Sequence, residues 1–158
     1  MARRLAADSC VIVKWFKKGE EFEKEALRLR DDVLLGRITL VISEWTLLEV
    51  ARGLRKAGYP KEKVDESFSL LRELADLDLL KVAPVSRYLV LAKDLISALD
   101  LYASDAIHLA LALMESLDLL SEDKHLLRGD VREYGEKRGV RILRLKEEYS
   151  QSKQSLVK

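Results

Sequence analysis

Asp8, Asp105 and Asp123 each stand where an apolar segment meets a polar one: after "RRLAA", at the head of "AIHLALAL", and just past "LDLLSE". Carboxylates are costly at the mouth of a core, and several brought onto one rim repel and raise one another's pKa unless a cation neutralises them. Oxygen donors without cysteine or histidine favour Mg²⁺ or Mn²⁺, which keep several waters and commonly bridge to substrate phosphates. A divalent metal at this rim is therefore the first chemical expectation.

Each acid also has a plainer account. Asp105 would be well placed against a helix dipole beside a Ser104 cap, and Ser121 or Asp123 could cap the short helix "KHLLRG". Glu49 lies off the core stripe of Leu47, Val50, Ala51 and Leu54, where an i,i+3 ion pair with Arg52 would contribute about 0.2–0.5 kcal/mol. Trp45, one turn earlier on the same side, argues that this face is not plainly solvent. His108, one turn after Asp105, could touch that carboxylate but reads as a satisfied core histidine in an apolar helix, and His125 as a surface residue.

The elements that must position these residues follow from periodicity. "RRLAAD" is a short strand ending at Asp8, and "SCVIVKWFKK" a helix started at Ser9. "EEFEKEALRLRDDVLLGR" is an amphipathic helix closed by Gly36, "ITLVI" a buried strand, and "EWTLLEVARGLRKAG" a helix capped by Ser43 and stopped by Gly58. Pro60 opens another helix, with Val64, Phe68, Leu71 and Leu74 or Ala75 at core spacing, followed by the strand "LLKVAP" and a helix from Val85 to Leu99. The helix from about Ser104 is apolar on nearly every side, as a helix buried between other elements is. "LDLLSED" and "RILRL" are the last two strands.

Strands alternating with helices, and no hairpin signals, predict an α/β fold: an α/β/α sandwich with a mainly parallel central sheet. Ligands of such sheets bind beyond the carboxyl ends of the strands, so Asp8 and Asp123 fall on that rim. Residues 1–148 are expected to form a single domain and 149–158 a polar C-terminal tail.

Composition narrows the classes further. A chain of 158 residues with a net charge of +1 suits one domain and carries no global basic field. Cys10 is the only cysteine and His108 and His125 the only histidines, which excludes an intrachain disulfide and disfavours structural zinc. No run reaches the roughly 18 apolar residues of a membrane span and no signal peptide is evident, so the expected location is the cytoplasm. With 35% charged residues, no asparagine, and glutamine only at 151 and 154, the bias is like that of thermophile proteins.

Asp8-Ser9 after the first strand, "LLEVARGL" with Glu49, "SDAIHLALA" with Asp105, and "LLSEDKHL" with Ser121 and Asp123 in a Ser/Thr-x-Asp arrangement together resemble the PIN-domain family. In size and layout the chain is similar to the single-domain VapC toxins of toxin–antitoxin pairs, over roughly residues 4 to 145. The resemblance implies a metal-dependent endoribonuclease with an active site of Asp8, Glu49, Asp105 and Asp123. Asp8, Asp105 and Asp123 would be the metal contacts, with Mg²⁺ or Mn²⁺ as cofactor, and Ser9 and Ser121 hydroxyls would orient carboxylates or water. It also implies an RNA substrate, a homodimer, and a VapB-like antitoxin whose C-terminal segment covers the site. RNA phosphates would meet cations such as Lys14, Lys17, Arg52, Arg55, Lys56, Lys124 and Arg128. Cys10 departs from the small polar residue that many members carry there.

Three rivals remain. A processing nuclease of ribosomal RNA would share the site, and a binding module would share the fold without the chemistry. Phosphoaspartyl phosphatases want a second aspartate two residues after the first, where this chain has Cys10.

Overall fold

A computed structural model describes residues 2–155, with side chains through residue 150. Five strands, β1 (Arg3–Ala7), β2 (Ile38–Ser43), β3 (Leu80–Ala83), β4 (Leu119–Leu120) and β5 (Ile142–Leu143), form one sheet. All its pairings are parallel and the spatial order is β3-β2-β1-β4-β5. The chain builds outward from β1 to β3 on one side, then crosses back to lay β4 on the other. The order thus reverses at β1, and the crevice above β1 and β4 is where a doubly covered parallel sheet leaves room for a ligand.

The helices are α1 (Ser9–Val13), α2 (Glu23–Leu34), α3 (Glu44–Lys56), α4 (Lys61–Asp76), α5 (Leu89–Leu99), α6 (Ala103–Glu115), α7 (Gly129–Glu136) and α8 (Leu145–Ser155). Strand alternation decides which layer each one joins. Leu5, Leu40, Ile42, Leu80 and Leu120 face a core filled by α1 to α4 and Tyr149 of α8. Ala6, Val41, Leu119 and Ile142 face a second core filled by α5, α6 and α7. Both faces of β2 are therefore apolar, which explains the unbroken "ITLVI".

Several local expectations shift for stated reasons. Residues 85–99 are not one helix: Pro84 is extended, and a 3₁₀ turn over Val85–Tyr88 precedes α5. Ser67 is buried where Phe68 was expected, since its hydroxyl donates back to the Lys63 carbonyl at 2.8 Å and hides its polarity inside α4. Helix α7 has no counterpart among the expected elements. The turn leaving it folds back so closely that a Cβ at Gly135 would sit 2.8 Å from the Val140 carbonyl oxygen, while the Val140 amide donates to the Gly135 carbonyl at 2.9 Å. Helix α8 runs across the expected boundary at 148/149, and residues 156–158 of the tail lie outside the described residues.

Candidate active site

Asp8 leaves β1 and becomes the N-cap of α1, where its Oδ1 accepts from the Val11 amide at 3.3 Å. The same oxygen accepts from the Cys10 thiol at 2.7 Å, and Oδ2 accepts from the Ser121 hydroxyl. Burial raises the Asp8 pKa, against the opposing influence of His108 and these donors. Burial and the neighbouring Asp8 charge also raise the Cys10 thiol, so it stays protonated and donates. Ser9, by contrast, makes no side-chain bond to a carboxylate among the described residues. It opens onto a groove with Trp45, Leu48, Glu49, Arg52 and Gly53. Cys10, and not Ser9, is the residue of this turn whose side chain donates to Asp8.

The loop after β4 is pinned from several directions. Ser121 is buried and also accepts from the Asp123 amide at 3.0 Å, tying two acids together through one hydroxyl. Glu122 turns outward from the cluster, accepting from the Arg144 guanidinium at 3.0 Å and the Leu145 amide at 2.8 Å. Asp123 Oδ1 accepts from the His125 amide at 2.8 Å and the Leu126 amide at 3.4 Å, closing a turn over residues 124–127 where the sequence suggested a short helix. The second oxygen is left over for other work.

Asp105 lies in the first turn of α6 and is 8% exposed. Ser104 is not its cap, because the helix starts one residue earlier, with Tyr102 in the capping position. No described residue donates a hydrogen bond to the Asp105 carboxylate. Burial first, then the charges of Asp123, Asp8 and Glu49, push its pKa up to about 7 despite the relief offered by His108. A largely buried carboxylate that accepts no hydrogen bond among the described residues and sits near three other acids costs the fold energy when it ionises.

Glu49 does not pair with Arg52. Its Oε1 lies 2.8 Å from Nε2 of His108, which is buried in α6. Burial opposes the imidazolium, but the bond to Glu49 and the charges of Asp8, Glu49 and Asp105 outweigh it, and the His108 pKa rises. His108 is the residue of this site that sequence reasoning set aside. Its only early signal was its position one turn after Asp105. His125 is half-buried rather than on the surface, edge-on to the Tyr102 ring at 5.0 Å.

The four acids thus share one rim and one electrostatic neighbourhood, and their donor chemistry suits a hard divalent ion. Among the described residues, no three His, Cys, Asp or Glu side chains are drawn close enough together to enclose one. Among the described residues, neither oxygen of Asp105 nor Oδ2 of Asp123 accepts a hydrogen bond, whereas Asp123 Oδ1 accepts two. Several cations expected to meet RNA are already committed: Lys14 donates to the Glu21 carbonyl at 2.8 Å, Lys17 pairs with Glu20 at 2.6 Å, and Arg128 with Asp130 at 3.1 Å.

A doubly covered parallel sheet with carboxylates massed where its strand order reverses defines the class: an α/β protein with an acidic site. The PIN domain pattern matches residues 6–131, and the chain belongs to the PIN domain family, whose members are generally nucleases. No curated protein matches the chain. Among solved structures it is similar to a toxin–antitoxin complex from Klebsiella pneumoniae, at 20% identity and a TM-score of 0.56, covering 86% of this chain and 94% of that one. VapBC2 from Rickettsia felis bound to a promoter DNA fragment is similar at 15% identity and 0.58, covering 89% and 98%. FitAcB from Neisseria gonorrhoeae is similar at 17% identity and 0.54, covering 89% and 97%. At such identities the likeness establishes the fold. No single helix among the described residues is long and apolar enough to cross a membrane.

Proposed function

We propose that this protein is a Mg²⁺- or Mn²⁺-dependent endoribonuclease of the cytoplasm, acting as the toxin of a VapBC-type pair. The observation that carries the reading is Asp105: buried, without a hydrogen-bond donor among the described residues, and with its pKa pushed up to about 7 by burial first and then by the charges of Asp123, Asp8 and Glu49. Such a carboxylate destabilises the empty site and is relieved by a cation. Asp8, Asp105 and Asp123 would hold the ion, which would supply charge neutralisation and polarisation of the scissile phosphate. Cys10 and Ser121 keep the Asp8 carboxylate in one orientation, and Ser121 carries that constraint to Asp123. Glu49, with Oε1 tied to His108, would use Oε2 to orient the attacking water.

The toxin assignment draws support from the toxin–antitoxin complexes among the similar structures. The expected partners are a second copy of this chain and a VapB-like antitoxin. The groove between Ser9 and the exposed Trp45 and Leu48, which borders Glu49, suits an antitoxin segment entering from the side.

The test is cleavage of a mixed structured RNA pool by the purified protein with Mn²⁺ or Mg²⁺, with EDTA, and with Asp8→Asn and Asp105→Asn. Cutting that needs the metal and both aspartates is the expected result. Variants that cut like the wild type would assign the activity to a contaminant, and a protein that binds RNA without cutting would replace the nuclease by a binding module.

A further inference from the structure

His108 is the only polar side chain among the eight buried residues of α6 besides Asp105. An imidazole kept in an apolar layer needs a partner, and a core histidine would ordinarily find a backbone carbonyl. Here Nε2 meets a carboxylate of the site itself, 59 residues earlier in the chain. The bond also joins two layers, since α3 packs into one core through Val50 and Leu54 and α6 into the other through Ala106, Leu109 and Ala110.

Glu49 needs such a tether. Its helix presents Trp45 and Leu48 to solvent on the neighbouring positions, and Glu49 is itself 24% exposed, against 2% for His108. A glutamate on a helix surface samples several rotamers, and holding it in one costs side-chain entropy that a rigid, buried donor offsets. Of the two groups, the imidazole is the fixed one.

We infer that His108 is a positioning residue: its Nε2 anchors Glu49 Oε1, so that the carboxylate meets the water-attack side of the acidic site in a single orientation. The inference rests on the proposed role of Glu49 in the nuclease. His108 touches neither RNA nor metal in this scheme. It acts through Glu49, and its removal slows the reaction without loosening substrate.

The variants are His108→Leu, which keeps bulk and loses the donor, His108→Gln, whose terminal amide nitrogen can occupy the place of Nε2, Glu49→Gln, and a double variant that combines His108→Leu with Glu49→Gln. With Mn²⁺ and the RNA pool, H108L should lower kcat about 10- to 100-fold, in the range found when groups orienting a metal site are removed, with KM within about twofold. H108Q should recover most of that loss. H108L should add little in the E49Q background, because the glutamine Oε1 still accepts from Nε2 but the carboxylate that His108 positions is already gone. Equal losses in H108Q and H108L, or fully additive losses in the cycle, would overturn positioning in favour of plain packing.

The second readout needs no activity. In metal-free protein at fixed pH, the ¹⁵N resonance of His108 Nε2 should move on Glu49→Gln, while the backbone spectrum of α6 is retained. An unmoved Nε2 resonance would overturn the inference, even if H108L fails to fold. If wild type cuts no RNA, the nuclease reading fails and the resonance alone decides whether the tether exists.

Discussion

Replacing Asp105 by asparagine should stabilise the metal-free protein while disabling it. Burial and the neighbouring acids raise this carboxyl from 3.8 to about 7. An acid whose pKa is higher in the folded state binds more protons folded than unfolded, so its contribution to stability falls as pH rises from about 4 to about 7. At pH 8 the ionised group then costs the fold roughly 4 kcal/mol relative to an ordinary aspartate, and at pH 5, where the native group is still protonated, roughly 1.5 kcal/mol. Asparagine carries no charge at either pH, and any penalty for burying its amide is the same at both. The stability gained by Asp105→Asn should therefore be larger at pH 8 than at pH 5 by roughly 2.5 kcal/mol. His108, also raised, loses its contribution as pH rises; Asp105 is one of the charges that raise it, so Asp105→Asn brings the His108 pKa down as well and the change between the two pH values reads the coupled pair. Urea unfolding of both proteins in EDTA at the two pH values measures it. A difference that does not change with pH would refute the claim that Asp105 is held as a strained carboxylate, and with it the main argument for a cation site.

Three further outcomes follow from the same geometry. Mn²⁺ should raise the thermal midpoint more at pH 8 than at pH 6, since binding needs Asp105 ionised, and saturation at about 100 times Kd corresponds to about 2.7 kcal/mol; equal shifts in calorimetry at both pH values would contradict this. Ser121→Ala removes the donor to Asp8 and the acceptor of the Asp123 amide. It should cost about 1–2 kcal/mol in denaturant unfolding and weaken Mn²⁺ binding about tenfold in titration calorimetry. Gly135→Ala should destabilise by about 1–3 kcal/mol in spite of alanine's better helix propensity, because its Cβ meets the backbone oxygen of Val140 and not a yielding side chain; a neutral result in the same unfolding assay would show that α7 shifts freely.

What could be read along the chain was whatever neighbours in sequence decide. The β-branched, bounded run "ITLVI" and the almost unbroken apolar "AIHLALAL" reported a covered strand and a covered helix, because segments buried on both sides carry apolar residues on every face. The glycines at 36 and 58, both at positive φ, marked helix ends for an equally local reason. Asp8 at the end of β1 and Asp105 at the start of α6 were legible as carboxylates at the mouths of core segments. Other features depended on distance in sequence. The order β3-β2-β1-β4-β5 brings Asp8 beside Ser121, 113 residues away, and no periodicity encodes which strand will lie next to β1. The exchange of Ser9 for Cys10 as a partner of Asp8 turned on which side of one helical turn faces the sheet crevice. His108 looked like ordinary core because its helix is apolar, and only the packing of α6 against the layer holding α3 gave its imidazole a carboxylate to hold. Local sequence chose the elements and left acids at their ends; the packing of two helical layers on one sheet decided which of those acids meet, and what holds them in place.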